Sequence, residues 1–540
     1  MRRALLLAAA LSLAAPGCSR CGSAGPAPEL ARVLPRDAEA LVLVPDLGAL
    51  GERLKRLEQL KLASFVAQLQ GAASAQELVA SAMFQLGADL RSRESMEKAG
   101  LDPSRGAAAV WLAGGGTYAV AAVKEEKAFR ETVRRLARDR LGATAASEAG
   151  RVTAFSRAPG GPPQLSLLFQ DGWAFVAPGA TGARLPELAA VAEGAALSTQ
   201  PEYRSGLAAL PRERQVLVRL PATSTLARRG AAGGALLSLA LGPEALVVSS
   251  VLPSPGAGSG SGAEKAVALL RAAGPAPDLL GLAAPDAFLL ARSSGSPEGL
   301  GPVWSQLAGR WAESVKQGGF DLDAEVLGNL KPGSVLSVSL APTVNLATGV
   351  PELDVRRTNP FGYVHLVAAG EVKDAAKAAH TLEIIPPVAQ RLGATITPST
   401  REGQRVYLTR YAQGEGAHLA LVGDKVVMAS PVSRLDEAIG RAKAGKRAEG
   451  LAADPAFRPL LDAHPLAVAV DLRRLAESVR ALPSSAWGLG GFAMKATALR
   501  WLDATSDLRA VTFWAAVEDG AVRSELQLRF QSPAPQGPPR

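Results

Sequence analysis

Two kinds of hydrophobic pattern alternate along the chain. Residues 47–69 place leucines at intervals of three and four, which predicts an amphipathic helix, and residues 124–141 repeat this spacing with Lys and Arg on the opposite face. Apolar runs of strand length lie between such helices, at 215–220 and 466–472. The alternation predicts a mixed fold of helices and strands.

Turn signals predict two strand pairs. Residues 511–517 and 521–530 flank Asp519-Gly520, a dipeptide typical of a tight hairpin turn. Residues 235–252 form a counterpart around Gly242-Pro243-Glu244. Their hydrophobicity raises the alternative of a membrane span, against which the central proline and glutamate argue. Hairpins indicate antiparallel pairing, so the predicted fold class is α+β rather than a doubly wound parallel sheet.

Several short segments recur later in the chain, in the same order and at a nearly constant offset. The recurring pairs are 34–38 and 284–287, 100–103 and 328–333, 141–144 and 392–395, 171–177 and 423–429, and 200–204 and 454–458. This recurrence predicts two tandem, structurally similar halves, each an antiparallel sheet packed with amphipathic helices.

Composition and repeats together divide the chain into consecutive segments. We predict a signal peptide at 1–17, a flexible tether at 18–30, a first α+β repeat domain at 31–252, a Gly/Pro/Ser-rich linker with a short helix at 253–278, a second α+β repeat domain at 279–530 and a disordered tail at 531–540. The linker is not a phosphate-binding loop by its sequence, because Gly262 is followed by Ala263-Glu264-Lys265 instead of Lys and then Ser or Thr.

The first residues have the layout of a secretory signal. Met1-Arg2-Arg3 is basic, the run from Ala4 to Ala15 is apolar, and Ala15-Pro16-Gly17-Cys18 follows. The apolar run is shorter than the about 20 residues that a spanning helix needs. The segment resembles the lipobox of bacterial lipoproteins, which implies lipidation of Cys18. Ordinary cleavage nearby is the alternative. Ser19 in place of aspartate implies, by the same resemblance, anchoring in the outer membrane facing the periplasm.

Cys18 and Cys21 are the only cysteines of the chain. A Cys-x-x-Cys pair is also found at redox and metal sites. A metal site needs two further ligands, and the nearest histidine is His365. We interpret the pair as part of the tether, and a body without cysteine has no disulfides.

Composition indicates a globular body with a sizeable core, since 48% of the residues are hydrophobic and 20% are charged. The net charge of +9 is spread along the chain. Arg134-Arg135 and Arg473-Arg474 lie on amphipathic helices and are interpreted as solvated faces, with a weak attraction to anionic lipid as the alternative. Basic and aromatic residues do not interleave, so nucleic acid is not a predicted partner.

The sequence contains no recognisable catalytic motif, and no catalytic residue, metal ligand or cofactor is predicted. No Gly-x-Ser-x-Gly elbow occurs. The histidines are His365, His380, His418 and His464, and none are spaced as a helical metal pair. A serine hydrolase built on His418 or His464 remains an alternative that no motif supports.

Three further groups have structural interpretations. Asp321, Asp323 and Glu325 lack the spacing of a calcium loop, so we expect them to begin a helix, where acidic side chains favour the dipole. Residues 114–116, three glycines, are expected to form a turn. The aromatic residues Trp173, Phe175 and Tyr203 are predicted to lie in the core; if exposed in a groove, they would be candidates for holding a ligand.

Three features of the sequence form one pattern: a lipoprotein signal, the segment Leu34-Pro35-Arg36-Asp37-Ala38 at the start of a strand, and a degenerate second copy. It resembles the large uncharacterised lipoproteins of Gram-negative bacteria, in particular a family known as a domain of unknown function. The resemblance covers most of 31–530. It implies an envelope location and assigns no catalytic residue.

The sequence therefore predicts a non-enzymatic, membrane-anchored envelope protein with a binding or scaffolding role. Its predicted partners are the membrane, through the lipid anchor, and either envelope proteins or an apolar ligand, with the cleft between the halves as the place for a ligand. The alternative is an envelope hydrolase or other enzyme, which requires a histidine within hydrogen-bond reach of a serine or carboxylate in a pocket. A lipid shuttle conflicts with permanent tethering.

Overall fold

A computed structural model describes much of the chain. The described residues are 27–221, 224, 234–253, 267, 269–271, 278–300, 316, 321–340, 364–391, 395–411, 414–482 and 491–531. Cys18, Cys21, most of the predicted linker and all but the first residue of the predicted tail lie outside them. The chain divides into two compact units: unit 1 runs to Pro253 and includes the residues from Glu525 onward, and unit 2 runs from Ser254 to Ser524.

Unit 1 alternates helices with strands. Its helices are α1 (Ala27–Leu30), α2 (Leu47–Leu57), α3 (Lys61–Leu69), α4 (Ala75–Leu86), α5 (Arg93–Lys98), α6 (Glu126–Leu141), α7 (Leu185–Ala189) and α8 (Pro201–Ala209). Its strands are β1 (Ala40–Val44), β2 (Ala107–Trp111), β3 (Thr117–Ala122), β4 (Ala145–Ala149), β5 (Val152–Ser156), β6 (Pro163–Gln170), β7 (Trp173–Pro178), β8 (Val216–Leu220), β9 (Ala235–Leu241) and β10 (Ala245–Pro253).

The strands of unit 1 pair antiparallel throughout. Neighbouring strands follow the order β4-β5-β6-β7-β3-β2-β1-β8-β9-β10. The β9–β10 pair is the apolar hairpin predicted around Gly242-Pro243-Glu244, so its interpretation as paired strands is confirmed. At the other end of the chain, Glu525 accepts a hydrogen bond from Ser249 of β10 at 3.2 Å.

Two amphipathic helices of unit 1 bury the apolar faces that the sequence predicts. Phe129 and Val133 of α6 join Phe155 and Leu167 of the sheet in one core cluster. The predicted helix at 47–69 is instead two helices, α2 and α3, because Leu60 adopts an extended conformation between them. No glycine or proline marks this break, so the spacing of leucines alone does not reveal it.

The packed body begins earlier than the sequence indicates. The predicted tether ends at residue 30, yet Ala27–Leu30 is a short helix and Leu30 is fully buried. Burial of this leucine places the end of α1 within the packed part of the chain.

Unit 2 has the same kinds of element. Its helices are α9 (Leu322–Glu325), α10 (Ala375–Arg391), α11 (Val432–Ala444), α12 (Arg458–Ala463), α13 (Leu472–Ala481) and α14 (Gly491–Ala504). Its strands are β11 (Leu289–Ser293), β12 (Leu330–Leu340), β13 (Val364–Val372), β14 (Thr395–Arg401), β15 (Gln404–Tyr411), β16 (Gly414–Glu415), β17 (His418–Val422), β18 (Lys425–Ser430), β19 (Leu466–Asp471) and β20 (Leu508–Glu518), and the last strand, β21 (Ala521–Phe530), begins in this unit.

Strand pairing in unit 2 is also antiparallel. Its order is β14-β15-β17-β18-β13-β12-β11-β19-β20. Leu435 and Ile439 of α11 pack with Val427, Phe457 and Ala469 in the core of the unit. Mixed α+β structure with antiparallel sheet, as predicted, is confirmed for the described residues.

Three local predictions are confirmed. Asp519 and Gly520 both have positive φ, at 51° and 74°, as a tight turn requires. The glycines at 114–116 also have positive φ and connect β2 to β3. Asp321 precedes α9, and its carboxylate accepts the backbone N–H of Ala324 at 3.3 Å.

None of the helices in the described part of the chain is both long enough and apolar enough to span a bilayer.

Candidate functional site

The predicted lipidation site, Cys18, lies outside the described residues, as does Cys21. The candidate residues that the structure does describe are histidines, arginines and aromatic residues within the two units. In those residues no group of three or more His, Cys, Asp or Glu side chains is arranged to hold a metal ion.

Two of the four histidines make contacts that maintain structure. The Nδ1 atom of His418, a buried residue of β17, accepts the backbone N–H of Thr409 at 3.0 Å. The His464 ring stacks on Trp514, with 4.0 Å between ring centroids and 6° between planes. His380 lies exposed on α10. These contacts orient His418 and His464 within unit 2.

The buried residue His365 belongs to a polar cluster around Arg434. Arg434 donates hydrogen bonds through Nη1 to Glu437 at 2.8 Å, through Nε to His365 Nδ1 at 3.3 Å, and through Nη2 to Asp286 and to Ser339 at 3.3 Å. Ser339 and His365 are opposite one another in the β12–β13 ladder.

Arg434 is the cation of this cluster, and Asp286 and Glu437 are its carboxylates. Burial lowers the pKa of Arg434, but the carboxylates of Asp286 and Glu437 outweigh that effect and leave the pKa above its ordinary value. The guanidinium contacts both Ser339 and His365, and Ser339 is 1% exposed. The cluster is therefore a partly exposed ion-pair network, in which a largely buried guanidinium meets carboxylates that face solvent.

The aromatic candidates of unit 1 are buried, which confirms their prediction as core residues. Trp173, Phe175 and Tyr203 are each under 5% exposed. Phe175 stacks with Tyr118 at 6.4 Å between ring centroids, and the Arg105 guanidinium lies 4.3 Å from the Trp173 ring centroid. Their side chains fill the interior of the unit and do not line a groove.

Arg219 of β8 is a buried charge that the sequence analysis missed. It is 7% exposed, and its Nη2 donates to the side-chain oxygen of Gln200 at 2.6 Å. Among the described residues, Nη1 has no hydrogen-bond partner, and neither has the buried hydroxyl of Tyr203. The alternation of a strand puts residue 219 on the same side as Leu217, which is the signal that could have indicated its burial.

The charge of Arg219 is buried at an electrostatic cost. Burial lowers the pKa of the Arg219 guanidinium, and the nearby Tyr203, Glu202 and Asp37 only partly oppose this. Burial also raises the pKa of Tyr203. A buried cation without a bonded carboxylate is costly, because solvation by water is lost and not replaced by an anion.

A small cavity of about 270 Å³ lies at the start of α2. Asp46, Glu52, Arg91 and Met96 are among its lining residues. Hydrogen bonds between Arg91 and Asp89 raise the pKa of Arg91 and lower that of Asp89. Asp46 caps α2 by accepting the backbone N–H of Ala49. Asp46 and Arg91, two of the charged residues that line this cavity, thus already have partners within the fold.

Exposed apolar side chains concentrate on the helical hairpin formed by α3 and α4. Leu69 is 60% exposed, Phe84 72% and Leu86 48%. The Arg140 guanidinium lies 4.1 Å from the centroid of the Phe84 ring, and Arg140 Nη2 donates to the carbonyl of Phe84 at 3.3 Å. We call residues 61–86 the α3–α4 hairpin.

Comparison with known proteins gives no family. No family model matches the chain, and no curated protein matches it. Among solved structures, the chain is similar to three crystal forms of TP0453, each at 9% identity. Form III has a TM-score of 0.25 and covers 46% of this chain and 78% of that chain. Form IV has a TM-score of 0.25 and covers 45% of this chain and 76% of that chain. Form I has a TM-score of 0.24 and covers 47% of this chain and 79% of that chain.

Proposed function

We propose that this protein is a lipid-anchored envelope protein with a binding or scaffolding role. The observation that carries the proposal is the order of residues at the start of the chain: a basic start, a short apolar run, and Ala15-Pro16-Gly17-Cys18. Acylated Cys18 would hold the body at the membrane, and Ser19 favours the outer membrane facing the periplasm. Its partners would be envelope proteins or an apolar ligand.

We further propose that the body consists of two copies of one α+β module. The order of strand neighbours supports this: β11, β12 and β13 have the relations in unit 2 that β1, β2 and β3 have in unit 1. Likewise β19 pairs with β11 as β8 pairs with β1. The recurrence of sequence segments in the same order is independent support for the duplication.

The contacts of the histidines favour binding over catalysis. A general base must reach a proton of the substrate through a free ring nitrogen. His418 Nδ1 accepts a backbone N–H, and His365 Nδ1 accepts from Arg434. A hydrolase that used the Nδ1 atom of His365 or of His418 as its base would have to break one of these contacts.

Acylation of the N-terminus tests the anchor. Wild type, Cys18→Ala and Cys21→Ala are produced with export in a Gram-negative host, and mass spectrometry of the N-terminal peptide is combined with membrane fractionation. We expect wild type and Cys21→Ala to begin with an acylated Cys18 and to stay in the membrane pellet after a high-salt wash. Cys18→Ala should carry no acyl chain. A wild-type chain without acyl groups, released by salt, would refute the anchor.

The matched variant Cys21→Ala separates the two cysteines. Loss of the membrane fraction in both variants would assign the effect to the pair and not to Cys18. Crosslinking and pulldown from envelopes of wild type then identifies the binding partner, and a specific partner captured by both wild type and Cys21→Ala is the expected result.

A further inference from the structure

The α3–α4 hairpin is unusually poor in charge for this protein. Lys61 and Glu77 are the charged residues of 61–86, whereas 20% of the whole chain is charged. Its sequence also lacks proline. Its first helix ends at Leu69 and its second begins at Ala75, so residues 70–74 connect them. A segment of this composition is typically covered by a core or by a partner.

Unit 1 covers one side of the hairpin and leaves the helix ends exposed: Ala82 and Met83 belong to a core cluster, whereas Leu69, Phe84 and Leu86 are exposed. Among its side chains, those of Ala67, Ala75, Ala82 and Met83 are buried. Phe84 is the most exposed of the large hydrophobic residues in the described part of the chain, at 72%, with Leu69 second at 60%. The hairpin therefore presents apolar side chains at the end of each of its helices.

Arginines of α6 surround the Phe84 end of the hairpin. Arg140 stacks over Phe84, and Arg135 Nη2 donates to the carbonyl of Gly87 at 3.1 Å. Arg134 and Arg138 lie exposed on the same helix, paired with Glu131 and Asp139. An exposed phenylalanine beside two arginines, Arg135 and Arg140, matches the chemistry of an interface with anionic lipid, where apolar groups insert and arginines contact phosphates.

We propose that the α3–α4 hairpin, together with Arg135 and Arg140, docks on the surface of an anionic lipid bilayer. This inference rests on the proposed function, because the anchor at Cys18 brings the bilayer within reach. The chain from Cys18 to Ala27 spans at most about 30 Å when fully extended. The body is thus confined near the bilayer, and the Phe84 end of the hairpin supplies both the apolar and the cationic groups that the surface favours.

Charge complementarity distinguishes the bilayer from a second copy of this chain. Two copies meeting at this surface would bring the same arginines together, which opposes association. Anionic headgroups would instead satisfy those arginines while the Phe84 ring enters the boundary between headgroups and acyl chains.

Site-specific photo-crosslinking in the native envelope tests the proposal. The full chain carries a photoreactive phenylalanine analogue at position 84, and a matched control carries it at Lys98, whose side chain is also about 75% exposed. We expect lipid adducts at position 84 well above those at position 98. Replacing Arg135 or Arg140 by Gln should reduce the lipid adduct at position 84, by up to about fivefold for each arginine. Arg473→Gln, an exposed substitution in unit 2, should leave it unchanged.

Each other outcome overturns the docking proposal. Equal lipid yields at positions 84 and 98 would show that the hairpin has no preferred contact with lipid. Adducts at position 84 dominated by a second copy of the chain or by another protein would assign the surface to a protein interface. Acylation of Cys18 is measured in the same preparation, so an acylated protein without lipid adducts at position 84 refutes this inference alone, and an unacylated protein refutes the proposed anchor.

Discussion

Arg219 in unit 1 and Arg441 in unit 2 are both buried, at 7% and 5% exposure, and their surroundings differ. Arg441 donates through Nε to the carbonyl of Gly281 at 2.8 Å, through Nη1 to Glu449 at 2.9 Å and through Nη2 to the carbonyl of Arg447 at 3.3 Å. Arg219 donates through Nη2 to Gln200, and its Nη1 has no partner among the described residues.

The difference separates a buried charge that holds the fold together from one that the fold only tolerates. Arg441 links three chain segments of unit 2, and its removal takes a donor from the carbonyl of the buried Gly281 and from that of the exposed Arg447. Among the described residues, Arg219 has exchanged its hydration for one hydrogen bond to an uncharged group, so we expect its net contribution to be small or unfavourable. Burial alone therefore does not predict which of the two arginines contributes more to stability. The number and charge of their hydrogen-bond partners do.

The largest expected effect is that of Arg441→Met, which keeps the length of the side chain but removes its three donors. We expect unit 2 to lose about 3 kcal/mol of unfolding free energy, because the carbonyls of Gly281 and Arg447 are left unpaired. Denaturant unfolding monitored by circular dichroism measures this change. Arg473→Met, at an exposed ion pair, is the control and should cost less than about 1 kcal/mol. Equal effects of the two variants would contradict the role of Arg441.

A smaller loss is expected from Gln200→Ala, which removes the partner of Arg219. The guanidinium would then keep no hydrogen bond to a described residue, so we expect a loss of about 1–2 kcal/mol in unfolding free energy. Gln164→Ala is a control in the same unit, because the Gln164 amide donates a longer hydrogen bond, at 3.4 Å, near the surface. A Gln200 variant as stable as the Gln164 variant would mean that Arg219 has another acceptor.

Much of this fold was predictable because local chemistry dictates it. The leucine and phenylalanine spacing of α6, the Asp-Gly turn at 519–520 and the three glycines after β2 each specify one conformation. The break between α2 and α3 was not predictable, since the apolar spacing continues across Leu60. Tertiary packing, and not a residue with special backbone preferences, decides where α2 ends.

The candidate site residues were less predictable than the fold. His418 and His464 attract attention by residue type, yet the structure uses them for a backbone contact and a ring stack. Arg219 and the exposed Phe84 were missed because residue type favours the opposite environment in each case: arginine is usually exposed and phenylalanine is usually buried. An arginine at an inward position of a strand, or a phenylalanine beside Arg140 on a solvent-exposed face, becomes visible only when the neighbours are known.

Arg219→Met should change the unfolding free energy in the opposite direction to Arg441→Met. Arg219→Met replaces a buried cation by an apolar side chain of similar length, so we expect a change between zero and about 1 kcal/mol in the stabilising direction. The same denaturant experiment measures it, and Arg219→Lys is the matched variant that keeps the charge while losing the planar donor group. A loss above about 2 kcal/mol in Arg219→Met would show that Arg219 is as fully paired as Arg441.

The smallest expected effect is a difference in acid sensitivity. The hydrogen bond and charge of Arg441 hold the pKa of Glu449 below its ordinary value. A carboxyl with a lowered pKa in the folded state stabilises the fold above its unfolded pKa, near about 4.3, and this contribution is lost as the pH falls through the folded value. Because Glu449 is half exposed, solvent screens the pair and the effect is modest.

Unfolding midpoints measured between about pH 7 and pH 3 report this difference. Wild type should lose stability more steeply on acidification than Glu449→Gln, which has no carboxyl to protonate. In the described part of the chain, Arg219→Met removes no hydrogen bond to a carboxylate, so it should retain the acid slope of wild type. If Glu449→Gln and wild type had the same slope, the Arg441–Glu449 pair would contribute nothing in solution. The contrast between the two arginines would then rest on the backbone carbonyls that Arg441 satisfies.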